Sequence, residues 1–461
     1  FGILTVCMIY RDSDYYYTFQ SSETWFIYLK SNHKMLIQNF NSLANTKVKK
    51  KALQILEVGL AIAQPKNFLK TFVNKNHIML GKNRVILSNY GKIFVVAYGK
   101  AADSMAEYVS EKINVSQGIV VVPKYTKSSI VSKKFKIFYS GHPLPDKESV
   151  RAGKAIRRFV NNCSKGDFLL FLVSGGGSSL LALPDKITLT EKKYVTKLLL
   201  QCGATIDEFN CVRKHLSLIK GGKLVQNMNC DWCALVMSDV VSNDLSVISS
   251  GCTYNDNTTF SDAMKVIVKY SLRNKLPKKV ITHLKHGLNT KTIRRNEFTI
   301  KNKIIATNQD CLNAMVLKSR SLGLTTKVYS PIRYDVSVSA KKIVQMISRK
   351  KNSCVIFGGE PTVEVKGKGK GGRNQELVLQ ILKLIHNSDH QLLVSSISTD
   401  GIDGNTTYSG AIIENNISSL QKISSYLKNN DSYSFFKKYG GLIKTGPTHT
   451  NLMDIGLIIK Y

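Results

Sequence analysis

The sequence predicts an α/β protein with a mostly parallel sheet in its first domain and a mixed sheet in a second α/β domain. Short, continuous apolar runs, such as residues 168–173, are each followed by small or polar residues and then by a helical apolar period. This pattern is typical of strands that are buried on both faces of a parallel sheet. Closely spaced strand candidates on either side of residues 358–361 favour a mixed sheet in the second half.

The length and composition fit a two-domain globular protein. The chain has 461 residues and 43% hydrophobic content, which is enough for sizeable cores. Lys and Arg outnumber Asp and Glu by 66 to 31, giving a formal charge of +35. The basic residues are scattered, with no arginine-rich stripe, so we do not expect a nucleic-acid partner. No apolar run reaches the ~18 residues of a membrane span. The nine cysteines are irregularly spaced and indicate reduced, buried thiols.

The amino-terminal segment lacks a clear pattern. We expect residues 1–45 to be an extension that is disordered or spuriously translated, since the first 34 residues are rich in aromatic side chains. Translation from Met35 would give an acid-free, basic start that faintly resembles a mitochondrial transit peptide, although it has no arginine. A cytoplasmic location is therefore expected, with a mitochondrial one as the alternative.

The apolar periods give the elements in order. A first amphipathic helix is predicted from Lys49 to Val73, and irregular residues 272–303 are a candidate linker. The expected domains are 46–300 and 301–461. The predicted strands are 93–97, 118–122, 168–173 and 234–237 in the first domain, then 303–306, 326–329, 354–357, 362–365, 392–398 and 457–459 in the second.

Three strands of the first domain end on residues that could hold a ligand. These are GKAA at 99–102, SGGGSS at 174–179 and SDVVSNDLS at 238–246. Ligands in open α/β sheets bind at the carboxyl ends of the strands. Lys100 could follow a transferring phosphoryl group, and the glycines could present N–H donors. A solvated lysine and a plain strand-to-helix turn remain the alternatives.

The second domain carries a basic, glycine-rich loop at KGKGKGGRNQE, residues 366–376. Four glycines and four cationic side chains precede an apolar helical period, which predicts a loop and helix amino terminus that bind a polyanion. The spacing also matches G-x-G-x-x-G, but no acidic residue follows at the distance that a dinucleotide site needs. A solvated basic loop remains the alternative.

Two further segments carry candidate chemistry. Asn210 and Arg213 lie three residues apart on one face of a helix predicted over 209–224, which is otherwise an ordinary basic surface helix. STDGIDG at 398–404 places Asp400 and Asp403 at a strand end, where carboxylates could hold Mg²⁺. A simple Asx-turn is the competing interpretation.

Taken together, these motifs resemble the glycerate kinases that carry a MOFRL-like carboxyl-terminal domain. The resemblance covers about residues 50 to 461, in unchanged order. It implies a Rossmann-like first domain, a dissimilar second domain and an active site in the interdomain cleft. The matching segments are GKAA (99–102), GHPLPDKES (141–149), SGGGSSLL (174–181), NCVRKHLSLIKGG (210–222), SDVVSNDLSVISSG (238–251), GGEPTVEVKGKGKGGRNQE (358–376), TDGIDG (399–404) and NDSYSFF with TGPTHTNLMD (430–454).

The activity implied by the resemblance is ATP- and Mg²⁺-dependent phosphorylation of D-glycerate. The 2-hydroxyl is the favoured acceptor over the 3-hydroxyl, the partners are small molecules, and a homodimer is left open. By motif, the implied site residues are Lys100, Arg373 and Asp239 for catalysis; Ser174, Gly175, Gly176, Gly177, Ser178, Asn210 and Arg213 for substrate; Lys368, Lys370, Gly371, Gly372, Asn374 and Glu360 for nucleotide; and Asp400 and Asp403 for metal. On this basis Arg373→Ala should abolish turnover and leave the melting temperature nearly unchanged.

Four positions depart from the family pattern. Ser242 stands where glycine is usual, Cys252 and Asn405 where proline is usual, and His449 where glycine is usual. A bulky ring in a glycine loop could force a costly backbone conformation at His449. All the charged candidates are present, so an active kinase is the expected function. The rivals are an NAD(P)H-dependent hydroxypyruvate reductase and, less favoured, a basic nucleic-acid-binding protein.

Overall fold

The structure, a computed structural model, describes residues 35–288, 301–416 and 423–461, together with the backbone of three strands nearer the amino end. The strands are β1 (Ile9–Asp12), β2 (Tyr15–Gln20), β3 (Thr24–Leu29), β4 (His77–Leu80), β5 (Asn83–Ile86), β6 (Lys92–Tyr98), β7 (Gln117–Pro123), β8 (Phe135–Ser140), β9 (Asp167–Val173), β10 (Asp231–Met237), β11 (Asn302–Ala306), β12 (Thr325–Ile332), β13 (Ser353–Gly359), β14 (Leu392–Ser398), β15 (Gly410–Glu414), β16 (Leu442–Ile443) and β17 (Asp454–Lys460). The helices are α1 (Phe40–Leu43), α2 (Lys47–Ile62), α3 (Pro65–Phe72), α4 (Ala102–Lys112), α5 (Lys147–Asn161), α6 (Gly177–Leu180), α7 (Leu189–Gln201), α8 (Ile206–His215), α9 (Phe260–Lys269), α10 (Lys278–Gly287), α11 (Asn308–Ser321), α12 (Val336–Gln345), α13 (Arg373–Ile385), α14 (Ile423–Lys428) and α15 (Ser432–Tyr439).

The chain forms two compact units. The Rossmann unit comprises residues 65–307 and 449–451, and the mixed-sheet unit comprises the chain up to Gln64 with residues 308–448 and 452–461. These limits differ from the predicted boundaries, because α2 packs on α11 and β17 of the mixed-sheet unit. The approach is close: a Cβ built on Gly59 of α2 would lie 2.7 Å from the Ile455 Cδ1 atom.

The Rossmann unit contains a six-stranded sheet in the order β11-β10-β9-β6-β7-β8. Every neighbouring pair is parallel. Counted along the chain, this is the doubly wound order 3-2-1-4-5-6, so the predicted Rossmann-like sheet is confirmed. The strand order reverses between β6 and β9, and ligands bind outside the carboxyl ends of strands at such a switch point. Since β11 pairs with β10 in this sheet, its predicted place in the second domain is wrong.

Buried apolar strands hold this sheet between helices. In β9, with the sequence DFLLFLV, the six residues after Asp167 are all buried. Leu169 and Phe171 belong to a core cluster that also contains Ile156 of α5. Helix α5 begins with a reciprocal capping box between Asp146 and Ser149, which satisfies its first free N–H groups.

The mixed-sheet unit contains a six-stranded sheet in the order β12-β13-β17-β14-β15-β16. Only β12 and β13 are parallel, and the other pairs are antiparallel, so the predicted mixed sheet is confirmed. The predicted strand at 362–365 is absent, since only Thr362 forms an isolated bridge, with Asp335. Strands β8, β15 and β16 and the β4–β5 hairpin were not predicted. The hairpin strands and β8 have irregular burial patterns, β16 has two residues, and β15 is a buried five-residue strand that begins at Gly410.

Three other predicted segments differ from the structure. The single helix over 49–73 is two helices, and Pro65 begins the second, where a missing N–H costs nothing. The candidate linker contains α10, while residues 289–300 lie outside the described residues. Strands β1–β3 form an antiparallel sheet and Ile37 is buried, so the expected extension includes regular structure. No helix among the described residues is long and apolar enough to cross a membrane.

Candidate active site

The switch point of the Rossmann unit brings together the ends of β6 and β9. The backbone N–H of Lys100 donates to the Gly175 carbonyl at 2.9 Å. The N–H of Ala101 donates to the Ser174 Oγ atom at 3.0 Å. Two of the three predicted ligand-binding strand ends are therefore joined by hydrogen bonds at the place where the fold favours a ligand.

The glycine loop, residues 174–179, lies against the third strand end. A Cβ on Gly175 would lie 2.0 Å from the Asp239 Oδ2 atom, so only glycine lets this carboxylate approach. Gly176 has a φ of 82°. A Cβ built there would lie 3.3 Å from the Lys100 Cγ atom and 3.2 Å from the His142 ring. Lys100, Asp239 and His142 thus surround the glycine loop.

Two residues near the glycine loop were not predicted. Asn451 donates from Nδ2 to the Asp239 Oδ2 atom at 3.3 Å, and it follows a Gly/Thr segment that carried no signal alone. His142 lies in the segment GHPLPDKES, for which no site residue was predicted. The position of His142 beside Gly176 could have been inferred only from the order of the strands in the sheet, since His142 follows β8 and Gly176 follows β9. Both residues add polar atoms to the switch point.

The serines of the glycine loop have internal partners. Ser174 is fully buried, and its carbonyl accepts a hydrogen bond of 2.9 Å from the Ser249 hydroxyl. The Ser178 and Ser250 hydroxyls are 2.7 Å apart. Ser249 and Ser250 have φ values of 50° and 60°, which are costly for residues other than glycine and persist where the surroundings impose them. Ser174 is therefore part of the scaffold, whereas Gly176 and Ser178 remain partly exposed.

Arg213 presents a guanidinium that has no anionic partner in the part of the chain that the structure describes. It lies on α8, and its Nη1 atom donates to the Asn210 Oδ1 atom at 3.4 Å, as the predicted shared face requires. The guanidinium carbon lies 4.6 Å from the centre of the Phe209 ring. The Nε atom is buried without a hydrogen-bond partner. Desolvation lowers the pKa of Arg213 to about 10. Helix α8 ends at His215, earlier than the predicted helix over 209–224.

The basic loop of the mixed-sheet unit, residues 366–372, does not present a cradle of free N–H groups. The N–H groups of residues 366–371 all donate to acceptors of the same unit, at 2.8–3.1 Å. The acceptors are Asn429, Asn430, Asp431 and Asn405. The prediction that this backbone points at a bound phosphate is therefore wrong.

The glycines of the basic loop serve close packing instead. A Cβ on Gly367 would lie 2.2 Å from the Asn429 carbonyl oxygen, and one on Gly371 would lie 2.2 Å from the Ser432 hydroxyl. A Cβ on Gly372 would lie 2.3 Å from the Asp403 carboxylate. Lys368 and Lys370 are exposed, and the Lys370 ammonium lies 4.6 Å from the centre of the Tyr433 ring. The lysine side chains are the part of this loop that could meet a nucleotide.

Helix α13 begins at Arg373, inside the predicted loop 366–376, and an internal carboxylate occupies its amino terminus. The Asp403 carboxylate accepts from the N–H groups of Asn374 and Gln375, both at 2.9 Å. Asn374 is fully buried, and its Oδ1 atom accepts from the Ser396 hydroxyl at 2.6 Å. Asn374 therefore has internal partners in the mixed-sheet unit, and its implied contact with a nucleotide stays a prediction. Burial raises the pKa of Asp403 to about 6.

Arg373 is held by two carboxylates. Its Nε and Nη2 atoms donate to Asp454 at 2.5 and 3.1 Å, and its Nη1 atom donates to Glu360 at 2.5 Å. Asp454 is 2% exposed, and burial raises its pKa despite the arginine. Glu360 and Arg373, implied as nucleotide and catalytic residues, therefore pair with each other.

The two predicted metal ligands have other partners. Asp400 Oδ1 accepts from the Ser398 hydroxyl at 2.7 Å and from the Ile402 N–H at 3.0 Å, which is an Asx-turn. Both oxygens of Asp403 accept from backbone N–H groups. Within residues 35–288, 301–416 and 423–461, no group of three or more His, Cys, Asp or Glu side chains could hold a metal ion.

Two of the unusual positions have structural consequences. His449 has a φ of 56°, the left-handed conformation that a glycine would adopt freely. Asn405 accepts from the N–H of Gly371 at 2.9 Å, so it anchors the basic loop in a way that proline could not. Cys252 is buried, and its pKa is raised by desolvation.

A doubly wound sheet with a lysine, a glycine-rich loop and a carboxylate at its switch point is typical of enzymes that bind small anionic ligands. A family model described as a domain of unknown function (DUF4147) matches residues 51–285, and the MOFRL family model matches residues 353–454. The chain belongs to the glycerate kinase family with a MOFRL domain.

Similar proteins agree with this assignment. The D-glycerate 2-kinase of Thermotoga maritima is 36% identical over 440 residues, covering 89% of this chain and 99% of the relative. A crystal structure of glycerate kinase from Thermotoga maritima has a TM-score of 0.75 at 32% identity, covering 90% of this chain and 100% of that one. A protein named putative hydroxypyruvate reductase, from Agrobacterium vitis, is 33% identical over 80% of this chain and 87% of its own.

Proposed function

We propose that this protein transfers the γ-phosphoryl group of ATP to the 2-hydroxyl of D-glycerate. The observation that carries the proposal is the switch point, where Lys100 and Asp239 lie against the glycine loop. Phosphoryl transfer needs mainly positioning and neutralisation of charge, and these groups supply both. The family relationship supports the choice of a kinase over a reductase.

The chemistry assigns a role to each group of the Rossmann unit. Arg213 binds the carboxylate of glycerate, for which a guanidinium has the matching fork geometry. The hydroxyl oxygen forms a bond to the γ-phosphorus, the bond from that phosphorus to the β,γ-bridging oxygen breaks, and the hydroxyl proton passes to Asp239. The Lys100 ammonium neutralises charge on the transferred group in this proposal, which the closeness of its Cγ atom to Gly176 of the glycine loop supports.

The remaining roles are contacts with the nucleotide and with its metal ion. We propose that Lys368 and Lys370 contact phosphate through their exposed side chains. Asp403 does not fit a metal, because both of its oxygens are used by α13. Mg²⁺ that arrives with a nucleotide would be held mainly by the phosphates and would neutralise their charge, while Asp239 is kept for the hydroxyl proton. The interdomain cleft and a cytoplasmic location stay predictions.

The deciding experiment is a pair of coupled assays on the purified chain. With ATP and Mg²⁺, release of ADP should depend on D-glycerate, and phosphorus NMR should show 2-phosphoglycerate as the product. A 3-phosphoglycerate product would overturn the choice of hydroxyl. Oxidation of NADH by hydroxypyruvate, without glycerate-dependent release of ADP, would replace the kinase by the reductase.

A further inference from the structure

Three cationic side chains of the Rossmann unit, two of them buried and one partly buried, have no carboxylate partner among the described residues. We call Lys192, Arg213 and Lys220 the buried cation cluster. Lys192 is 2% exposed and Lys220 is fully buried. The Lys192 Nζ atom and the Arg213 Nε atom are both buried without a hydrogen-bond partner. Burying an unpaired charge is costly, so a cluster of this kind needs an explanation.

The cluster lies against the glycine loop. The Lys220 ammonium donates to the Ser178 carbonyl at 3.0 Å. Burial is the main reason that the pKa values of both lysines are lowered; Lys220 and Arg213 lower the pKa of Lys192 further, and Arg213 also lowers that of Lys220. The other titratable group that faces both lysines is the Cys252 thiol, while Lys214 adds a further positive charge near Lys220.

A neighbouring lysine, Lys214, is buried beside a carboxylate that balances its charge. Its ammonium lies 3.4 Å from the Asp256 carboxylate. Among the described residues, no carboxylate forms an ion pair with Lys192, Arg213 or Lys220. Because the described residues supply no counter-charge, we look for it in a bound anion.

We propose that Lys192 and Lys220 join Arg213 in a single site for the carboxylate of the acid substrate, and that this site takes up a proton when the carboxylate binds. The inference rests on the proposed function and adds two residues and a proton to it. Arg213 is only partly buried and meets the carboxylate directly, whereas the two lysines strengthen the positive field behind it.

The proton follows from the charge state of the lysines. Burial lowers the pKa of Lys220 to about 7, and it lowers the pKa of Lys192 well below its ordinary value. A bound carboxylate raises the pKa values of both lysines again, so the protein with bound glycerate holds more protons than the free protein. Affinity is then highest below the free-state pKa and falls as the pH rises through about 7 towards the bound-state pKa. The Kd should increase by up to roughly tenfold per pH unit for each proton.

The test uses titration calorimetry without ATP, so that no phosphate titrates. D-Glycerate is titrated at pH 8 in Hepes and in Tris, whose ionisation enthalpies differ. The wild-type protein should take up about one proton per glycerate, which is seen as a buffer-dependent binding enthalpy. Glycerol, which lacks the carboxylate, should not bind measurably. Tight binding of D-glycerate with the same enthalpy in Hepes and in Tris would overturn the proposed proton uptake.

Lys192→Met tests the lysine itself, with exposed Lys197→Met on the same helix as the matched control. In Lys192→Met the KM for D-glycerate should rise roughly tenfold to a hundredfold, and the increase of this KM with pH should become shallower. The KM for ATP should stay within about twofold of the wild-type value. The melting temperature should equal or exceed that of the wild type, because a buried amine with no hydrogen-bond partner among the described residues is replaced by an apolar side chain of similar size.

The two proposals fail differently. A wild-type KM and pH profile in Lys192→Met, with active wild-type enzyme, would overturn the cation site alone. Wild-type protein that binds D-glycerate with proton uptake but never releases ADP would overturn the kinase reaction and support the cation site. Absence of any glycerate binding would overturn both.

Discussion

Removing the Arg373 side chain should destabilise the protein, which corrects the expectation from sequence that only turnover would be lost. Arg373 makes two hydrogen bonds to Asp454, which is 2% exposed. Arg373→Ala leaves that carboxylate buried and unpaired, and breaking a buried ion pair from one side costs about 3–5 kcal/mol. At about 2–4 °C per kcal/mol for a domain of this size, the melting temperature should fall by roughly 6–20 °C.

The assay is thermal unfolding followed by circular dichroism, with Lys366→Ala as the matched control. Lys366 pairs with Glu364 at 2.9 Å, but both side chains are largely exposed, so its removal should hardly change the melting temperature. In Arg373→Ala the native state holds Asp454 protonated up to a higher pH than the unfolded state does. The loss of stability should therefore shrink as the pH falls. Adding Asp454→Asn should restore part of the loss, and an unchanged melting temperature in Arg373→Ala would refute the reasoning.

Three further substitutions have defined outcomes. Lys100→Met should lower kcat roughly a hundredfold to a thousandfold without lowering the melting temperature, whereas Lys112→Met, at an exposed position, should leave kcat unchanged. Equal kcat values for these two variants would show that Lys100 takes no part in the reaction. His449→Gly should raise the melting temperature by about 1–4 °C, because it relieves a φ of 56°; a decrease would mean that the imidazole makes stabilising contacts. Gly175→Ala should lower kcat by roughly a hundredfold, because the new Cβ would lie 2.0 Å from the Asp239 carboxylate. The control is Gly91→Ala, whose new Cβ would have no atom within 4 Å. Similar kcat values for the two variants would refute the close approach.

The sequence predicted the switch point well because parallel strands share an edge. Once residues 93–97 and 168–173 are identified as strands of one sheet, their loops must lie on the same side, and Lys100 and Gly175 are indeed hydrogen-bonded neighbours. Asp239 follows for the same reason, since β10 is the next strand. Local apolar patterning was sufficient here.

The basic loop shows where local patterning fails. Its glycines and cations match an anion site, but its N–H groups donate to Asn405, 34 positions along the chain, and to residues 429–431, more than 55 positions along it. Arg373 likewise meets Asp454 across 81 residues. Glycine has two uses, free conformation and close packing, and a single sequence does not separate them. Partners so far apart in the chain become visible only in the folded structure.

The buried cation cluster had a sequence signal that was overlooked. Lys192 precedes Val195 and Leu199 by three and seven residues, so it lies on the buried face of α7. A lone lysine on an apolar face is unusual enough to indicate a function or a buried partner. Its two cationic neighbours come from α8 and the segment after it, which the helical period alone could not place.

The most direct test of the central claim is the kinetic effect of Arg213→Met, with exposed Arg158→Met on α5 as the control. If the Rossmann unit binds the acid substrate through its unpaired guanidinium, the KM for D-glycerate should rise roughly a hundredfold, while the KM for ATP should stay within about twofold. Equal KM values for D-glycerate in the Arg213→Met and Arg158→Met enzymes would contradict the account.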